Sequence, residues 1–191
     1  MEGTYRGYLR RIVSGGQTGV DRAAWDAARS CGFPIGGWCP RGRRAEDGTI
    51  PSHYPCKETP SEVYEQRTAW NVRDSDGTLI VTCGEPRGGT AYTLEVAQQW
   101  KKPVLVLDLC RGGASLEQVH AWLQQHRIEV LNVAGPRESN VPGIYNRALA
   151  FLKQVFCALR HTSMASGCCK EEQDKEDESS YNGEHEGNPE L

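Results

Sequence analysis

Residues 8–22 read YLRRIVSGGQTGVDR, and the fold follows from this stretch. Tyr8 to Val13 is an apolar-rich run that predicts a strand. Ser14 to Gly19 is a loop with three glycines. Val20, Ala23, Ala24, Ala27 and Ala28 then recur at helical spacing, and Gly32 stops that helix. Strand, glycine-rich loop and helix, in that order, open a βαβ unit. The helix N-terminus there presents unpaired N–H groups and the positive end of its dipole, which together favour an anion.

The rest of the chain continues the alternation. A short strand is predicted near Pro34 to Gly37, followed by the long loop CPRGRRAEDGTIPSHYPCKE. Thr59, Pro60 and Glu62 predict a capping box for a helix running to about Val72. Thr78 to Thr82 is an apolar strand between Asp76-Gly77 and Gly84. Gly88-Gly89 leads into a helix from about Thr90 to Trp100, and Val104 to Leu107 is the next strand. Ser115 with Gln118 caps a helix carrying Leu116, Val119 and Leu123. Val130 to Val133 is the last strand, and Ile144, Ala148, Phe151, Leu152 and Val155 mark the final helix. The pattern predicts an α/β fold, a Rossmann-like three-layer sandwich with a mostly parallel sheet of about five strands. The runs LIVT and VLVL read as central strands buried on both faces. Ligands of such sheets bind beyond the carboxyl ends of the strands, which is where SGGQTG, CGEPRGGT and AGPRES all fall.

A chain of 191 residues predicts one domain with enough core to fold without a metal or disulfide staple. Residues 1–160 read as that domain and residues 161–191 as a disordered acidic tail. From Glu171 onward nine acids face one lysine, a net of −8, which leaves the rest of the chain at +5 against −3 overall. A cationic body suits an anionic ligand. No run of apolar residues is long enough for a membrane span, and the N-terminus has no apolar core of a signal peptide. Basic residues are not interleaved with aromatics, so nucleic acid is not an expected partner. The eight cysteines form no C-x-x-C pair. They are expected as reduced thiols of a cytoplasmic protein, with no metal site.

Five stretches carry the candidate chemistry. In the first, Gly15, Gly16 and Gly19 let the backbone approach a ligand, and Gln17 and Thr18 offer side-chain hydrogen bonds. Asp21 and Arg22 open the helix; Asp21 serves either the helix dipole or the ligand. In the second, Arg43 and Arg44 can grip an anion, or pair with Glu46 and Asp47 beside them. In the third, Arg67, Asn71 and Asp74 share one helix face if the helix reaches Asp74. In the fourth, Gly88, Gly89 and Thr90 start a second glycine-rich helix N-terminus, with Thr90 placed to cap it and Glu95 one turn inside. In the fifth, Arg137 and Ser139 follow the last strand, as pocket residues or an ordinary loop.

The strings GGQTGVDR, GGWCPRGRRAEDG, RTAWNVRDSDGTLIV, GGTAYTLE and NVAGPRES together resemble the family named "putative molybdenum carrier" proteins, over roughly residues 10–157. More distantly, the chain is similar to the lysine-decarboxylase-like nucleotide-binding fold that includes cytokinin-activating phosphoribohydrolases. The resemblance implies a Rossmann-like sheet, a homo-oligomer (dimer or tetramer), and binding of molybdenum cofactor, a pterin dithiolene with a terminal phosphate. In the hydrolases a P-G-G-x-G-T-x-x-E motif supplies a glutamate. Here Gly88-Gly89-Thr90 and Glu95 resemble it, but Ala91-Tyr92-Thr93 replaces the second glycine-threonine step. The expectation is therefore a binding protein for a phosphorylated small molecule. The alternative is a nucleotide N-glycosidic hydrolase with Glu95 or Asp74 as its carboxylate.

Overall fold

The computed structural model describes residues 8–167. Its elements are β1 (Arg11–Val13), α1 (Val20–Ser30), β2 (Ile35–Gly36), β3 (Trp38–Cys39), β4 (Arg44–Ala45), β5 (Gly48–Thr49), β6 (Lys57–Glu58), α2 (Tyr64–Arg73) and β7 (Gly77–Thr82). They continue with α3 (Gly88–Gln99), β8 (Val104–Asp108), α4 (Leu116–Gln125), β9 (Val130–Ala134) and α5 (Ile144–Gly167). The acidic stretch from residue 168 onward lies outside the described residues.

Five strands form one parallel sheet in the order β2-β1-β9-β7-β8. The last strand is inserted between the first and the seventh: Leu131 pairs with Ile12, and Asn132 with both Val13 and Thr78. The loops leaving β1, β9 and β7 are therefore neighbours, although they lie far apart in the chain. Two small ribbons, parallel β3/β6 and antiparallel β4/β5, organise the long loop after β2.

The alanines of α1 explain one helical layer. Ala23, Ala24, Ala27 and Ala28 are fully buried in one cluster with Leu152, Val155 and Phe156 of α5. Their small side chains let the two helices lie close, and α4 joins them through Val119 and Leu123. On the other face α2 and α3 meet through Val72, Val96 and Ala97, with Val104 of β8 against them. The predicted Rossmann-like sandwich of about five strands is the fold observed, and every strand pair in the main sheet is parallel.

Several local expectations change. β7 is buried along its whole length, but β8 is an edge strand and Val106 is 38% exposed. Alternation at an edge puts one apolar side chain toward water where a continuous apolar run suggested a central strand. The predicted capping box does not form. Thr59 Oγ1 donates to the carbonyls of Cys39 and Ser61, and α2 starts only at Tyr64. Thr90 is not a cap either: α3 starts at Gly88 with Arg87 as an N-cap that makes no side-chain bond. Ser115 does cap α4, accepting from the Gln118 N–H at 3.2 Å.

The expectation of reduced cysteines is corrected for four of them. Cys31 is bonded to Cys157 and Cys83 to Cys110. The partners are 126 and 27 residues apart in sequence, yet their Cα atoms lie 5.1 and 5.0 Å apart, a separation disulfides span. No spacing motif marks these pairs, because packing of α1 on α5 and pairing of β7 with β8 create them. Cys39 and Cys56 are unbonded. A hydrogen bond between these two thiols pushes Cys39 up and Cys56 down from the usual thiol range. No helix among the described residues is long and apolar enough to cross a membrane.

Candidate functional site

Three loops meet beyond the carboxyl ends of β1, β9 and β7. Gly19 has φ 74°, and a Cβ there would lie 2.5 Å from the Pro136 carbonyl oxygen, so only glycine lets the first loop seat against the loop after β9. The Val20 N–H donates to that same carbonyl at 3.3 Å. The Glu138 N–H donates to Thr18 Oγ1 at 3.2 Å. Glu46, reaching in from the turn between β4 and β5, accepts from the hydroxyls of Thr18 and Ser139 and from the Ser139 N–H. Burial pushes the Glu46 carboxyl up, but these donors outweigh it and hold the group below the usual glutamate range.

Two cavities open between these loops. The larger, about 450 Å³, runs from Thr82 and Cys83 past Arg87 and Thr90 to Asn140 and Val141. The smaller, about 50 Å³, is walled by Gln17, Asp21, Arg67, Gly89 and Arg137. Arg87, Thr90, Pro136 and Asn140 line both, so the two are one recess with a narrow inner end.

The inner end is built around a buried ion pair. Arg67 on α2 meets Asp21 on α1 at 3.1 Å, with the side chains 14% and 4% exposed. Burial raises the Asp21 pKa, against the Arg67 charge and the hydrogen bond from the Gln17 N–H. Gln17 accepts through Oε1 from the N–H groups of Thr18 at 3.0 Å and Glu46 at 2.9 Å. Because both neighbours are donors, the amide orientation is fixed and its NH₂ remains a donor. Gln17 Nε2 and Arg67 Nε are buried without a hydrogen-bond acceptor. The first N–H groups of a helix have no acceptor within it, and Gly88 and Gly89 are the first residues of α3. The recess therefore gathers donors: one amide, guanidinium groups of Arg67, Arg87 and Arg137, and a helix N-terminus. Asp21 and Glu85 also line the recess, so three guanidinium groups face two carboxylates there; the excess of donors suits an oxyanion.

The sequence-predicted residues divide. Gln17, Asp21, Gly89 and Thr90 line the recess. Gly15, Gly16, Thr18, Gly19 and Arg22 build its frame. A Cβ on Gly15 would collide with the Arg67 guanidinium, so this glycine makes room for the protein's own arginine. Arg22 clamps Asp47 through two bonds, at 2.6 and 2.7 Å. Gly88 starts α3. Two amides of the first loop are spent internally, the Gln17 N–H on Asp21 and the Thr18 N–H on the Gln17 side chain, and the Val20 N–H that opens α1 goes to the Pro136 carbonyl.

The remaining predicted residues do not line the recess. Arg43 donates to the carbonyls of Ile50, Pro51, Tyr54 and Cys56. Arg44 pairs with Glu62 at 3.1 Å. Asn71 accepts from the Trp38 N–H at 2.8 Å and donates to the Trp38 carbonyl at 2.9 Å, docking α2 on β3. Asp74 is the C-cap of α2 and accepts from Trp38 Nε1 at 2.7 Å. Thus Arg67 and the pair Asn71/Asp74 serve different places despite their shared helix spacing. Glu95 is exposed on α3. Arg87 and Asn140 were missed; the one signal for Arg87 is its position directly before Gly88-Gly89 in a loop after a strand.

The family model described as "Circularly permutated YpsA SLOG family" matches residues 12–156. No curated protein matches the chain. Among solved structures, the chain is similar to a crystal structure from Syntrophus aciditrophicus SB named "Putative molybdenum carrier protein". The two share 46% sequence identity with a TM-score of 0.74, covering 78% of this chain and 96% of the other.

Proposed function

Because the chain belongs to the circularly permutated YpsA SLOG family, we propose that it is a binding protein for a phosphate-bearing small molecule, held in the recess at the carboxyl edge of the sheet. The observation that carries this reading is the pair of buried donors without acceptors, Gln17 Nε2 and Arg67 Nε, at the recess's inner end. An unpaired buried donor costs about 1–3 kcal/mol, and a phosphate oxygen removes that cost. The inner volume of about 50 Å³ is several times what one water needs, room for a tetrahedral oxyanion. The outer volume of about 450 Å³ lies in the range of small-molecule sites and takes the rest of the ligand.

Two cargoes share this chemistry. One is molybdenum cofactor, toward which the name of the similar crystal structure points; the other is a nucleotide. In either case Gln17, Arg67, Arg87 and Gly89 hold the phosphate, while Thr82, Asn140 and Val141 face the ring system. Neither carboxylate expected for the hydrolase, Glu95 or Asp74, lines the recess, which favours a binding role over cleavage by either of them. A homo-oligomer in the cytoplasm is part of the proposal and is read by sedimentation and fractionation.

Native mass spectrometry of protein purified without added ligand, followed by calorimetry with molybdenum cofactor and a panel of nucleoside monophosphates, tests the reading. One of these is expected to bind at one per chain, with no free base released from the nucleotides. An empty protein that takes up none of them overturns it.

A further inference from the structure

Past the ends of β7 and β8 lies a second group of side chains. Cys83 follows β7, Asp108 closes β8, and Cys110 comes two residues later. Their two sulfurs and a carboxylate oxygen lie within 4.8 Å of one another. The parallel register produces this: Thr82 pairs with Asp108, so both strand ends deliver a cysteine to one spot, with Cα atoms 5.0 Å apart. Cys83 and Asp108 are half-buried and Cys110 is exposed. Cys83 also lines the larger cavity, which sets the group at the rim of the recess.

We propose that Cys83 and Cys110 in their dithiol form, with Asp108, make a binding site for a thiophilic divalent cation such as zinc, and that the Cys83–Cys110 disulfide is the form that excludes it. The proposal is independent of the anion reading. Two thiolates and a carboxylate are ligand types that zinc takes, and three protein ligands leave a fourth position open to water or ligand. Asp108 is held in place, since its Oδ1 accepts from the Cys110 N–H at 2.8 Å. Arg147 Nη1 donates to Cys110 Sγ at 2.8 Å and to Cys83 Sγ at 3.9 Å. A guanidinium there balances the ligands' excess negative charge and orients the sulfurs, as outer partners do around metal ligands.

The switch between forms balances. Two low-molecular-weight thiols supply two electrons and two protons, the S–S bond breaks to two sulfhydryls, and the reductant leaves as its own disulfide. Cation binding then releases both sulfhydryl protons to solvent.

The full chain, reduced with a phosphine and freed of it, is titrated with zinc alone against a chromophoric chelator. Cobalt is used in parallel for its sulfur-to-metal charge-transfer band. The reduced parent is expected to bind one equivalent more than C83S or C110S, and oxidation with diamide removes that equivalent. Should either serine variant fail to fold, D108N and R147A serve instead, each weakening zinc by about tenfold or more. C56A, which leaves the cluster intact, keeps the parent's affinity. Equal zinc binding by the parent and the cluster variants, or binding that survives oxidation, overturns the proposal.

Discussion

At the residue scale, the arginines decide the account. Arg43 spends its guanidinium on four carbonyls, whereas Arg87 sits exposed at the recess. R43A is therefore expected to destabilise the protein by about 2 kcal/mol, from carbonyls left unpaired, without changing ligand affinity. R87A should do the reverse: stability within about 0.5 kcal/mol of the parent and affinity for a phosphorylated ligand at least roughly tenfold weaker, one charge-assisted hydrogen bond's worth. Urea unfolding and calorimetry on both variants read the two effects separately. R67A combines them, because it strands Asp21 buried and unpaired; a loss of about 3–5 kcal/mol in urea unfolding is expected. The sequence shows arginines as a cationic loop. It cannot show whether a guanidinium is free, because that depends on which carbonyls fold back onto it. Arg43 and Arg67 look alike as letters, and only the fold separates a structural clamp from a recess wall.

At the element scale, the loops are locked to one another by Glu46, and that lock titrates. Its folded pKa lies below the ordinary 4.5, so the folded state binds fewer protons than the unfolded state as pH falls. The stabilisation is fully present above the ordinary value and is lost as pH drops through the folded one. E46Q should thus be less stable than the parent at pH 7, with the gap closing in acid; urea midpoints at both pH values measure it, and a gap constant with pH would count against the lock. The Cys31–Cys157 bond closes a loop of 126 residues. C31S is expected to lose about 2–5 kcal/mol in non-reducing buffer and nothing under reductant, by the same unfolding assay. Helix faces, the Ser115 cap and the strand order in sequence were legible from periodicity. The start of α2 was not, because Thr59 turns its hydroxyl to the Cys39 and Ser61 carbonyls instead of to the helix. Nor was the exposure of Val106, since a run of apolar residues does not say which strand is last in the sheet.

At the scale of the whole molecule, the insertion of β9 between β1 and β7 matters most. It brings AGPRES against SGGQTG and sets both beside PRGGT, making one recess from segments spread between residues 14 and 141. That three loops, two of them glycine-rich, fall at one edge was legible, because parallel sheets place every such loop there. How the edge serves a ligand was not: the Gln17 and Thr18 amides turn inward, and Gln17, Arg67 of α2 and the start of α3 line the recess. The most direct test is an NMR titration of ¹⁵N-labelled protein with the phosphorylated ligand found by mass spectrometry, or with inorganic phosphate, following amide, glutamine side-chain and arginine Nε signals together. The account predicts saturable shifts at the Gln17 side-chain amide, Arg67 Nε–H and the Gly88 and Gly89 amides, with Arg43 Nε–H unmoved. Shifts confined to the Gly15 and Gly16 amides or to Arg43, with the Gln17 and Arg67 signals still, would contradict it.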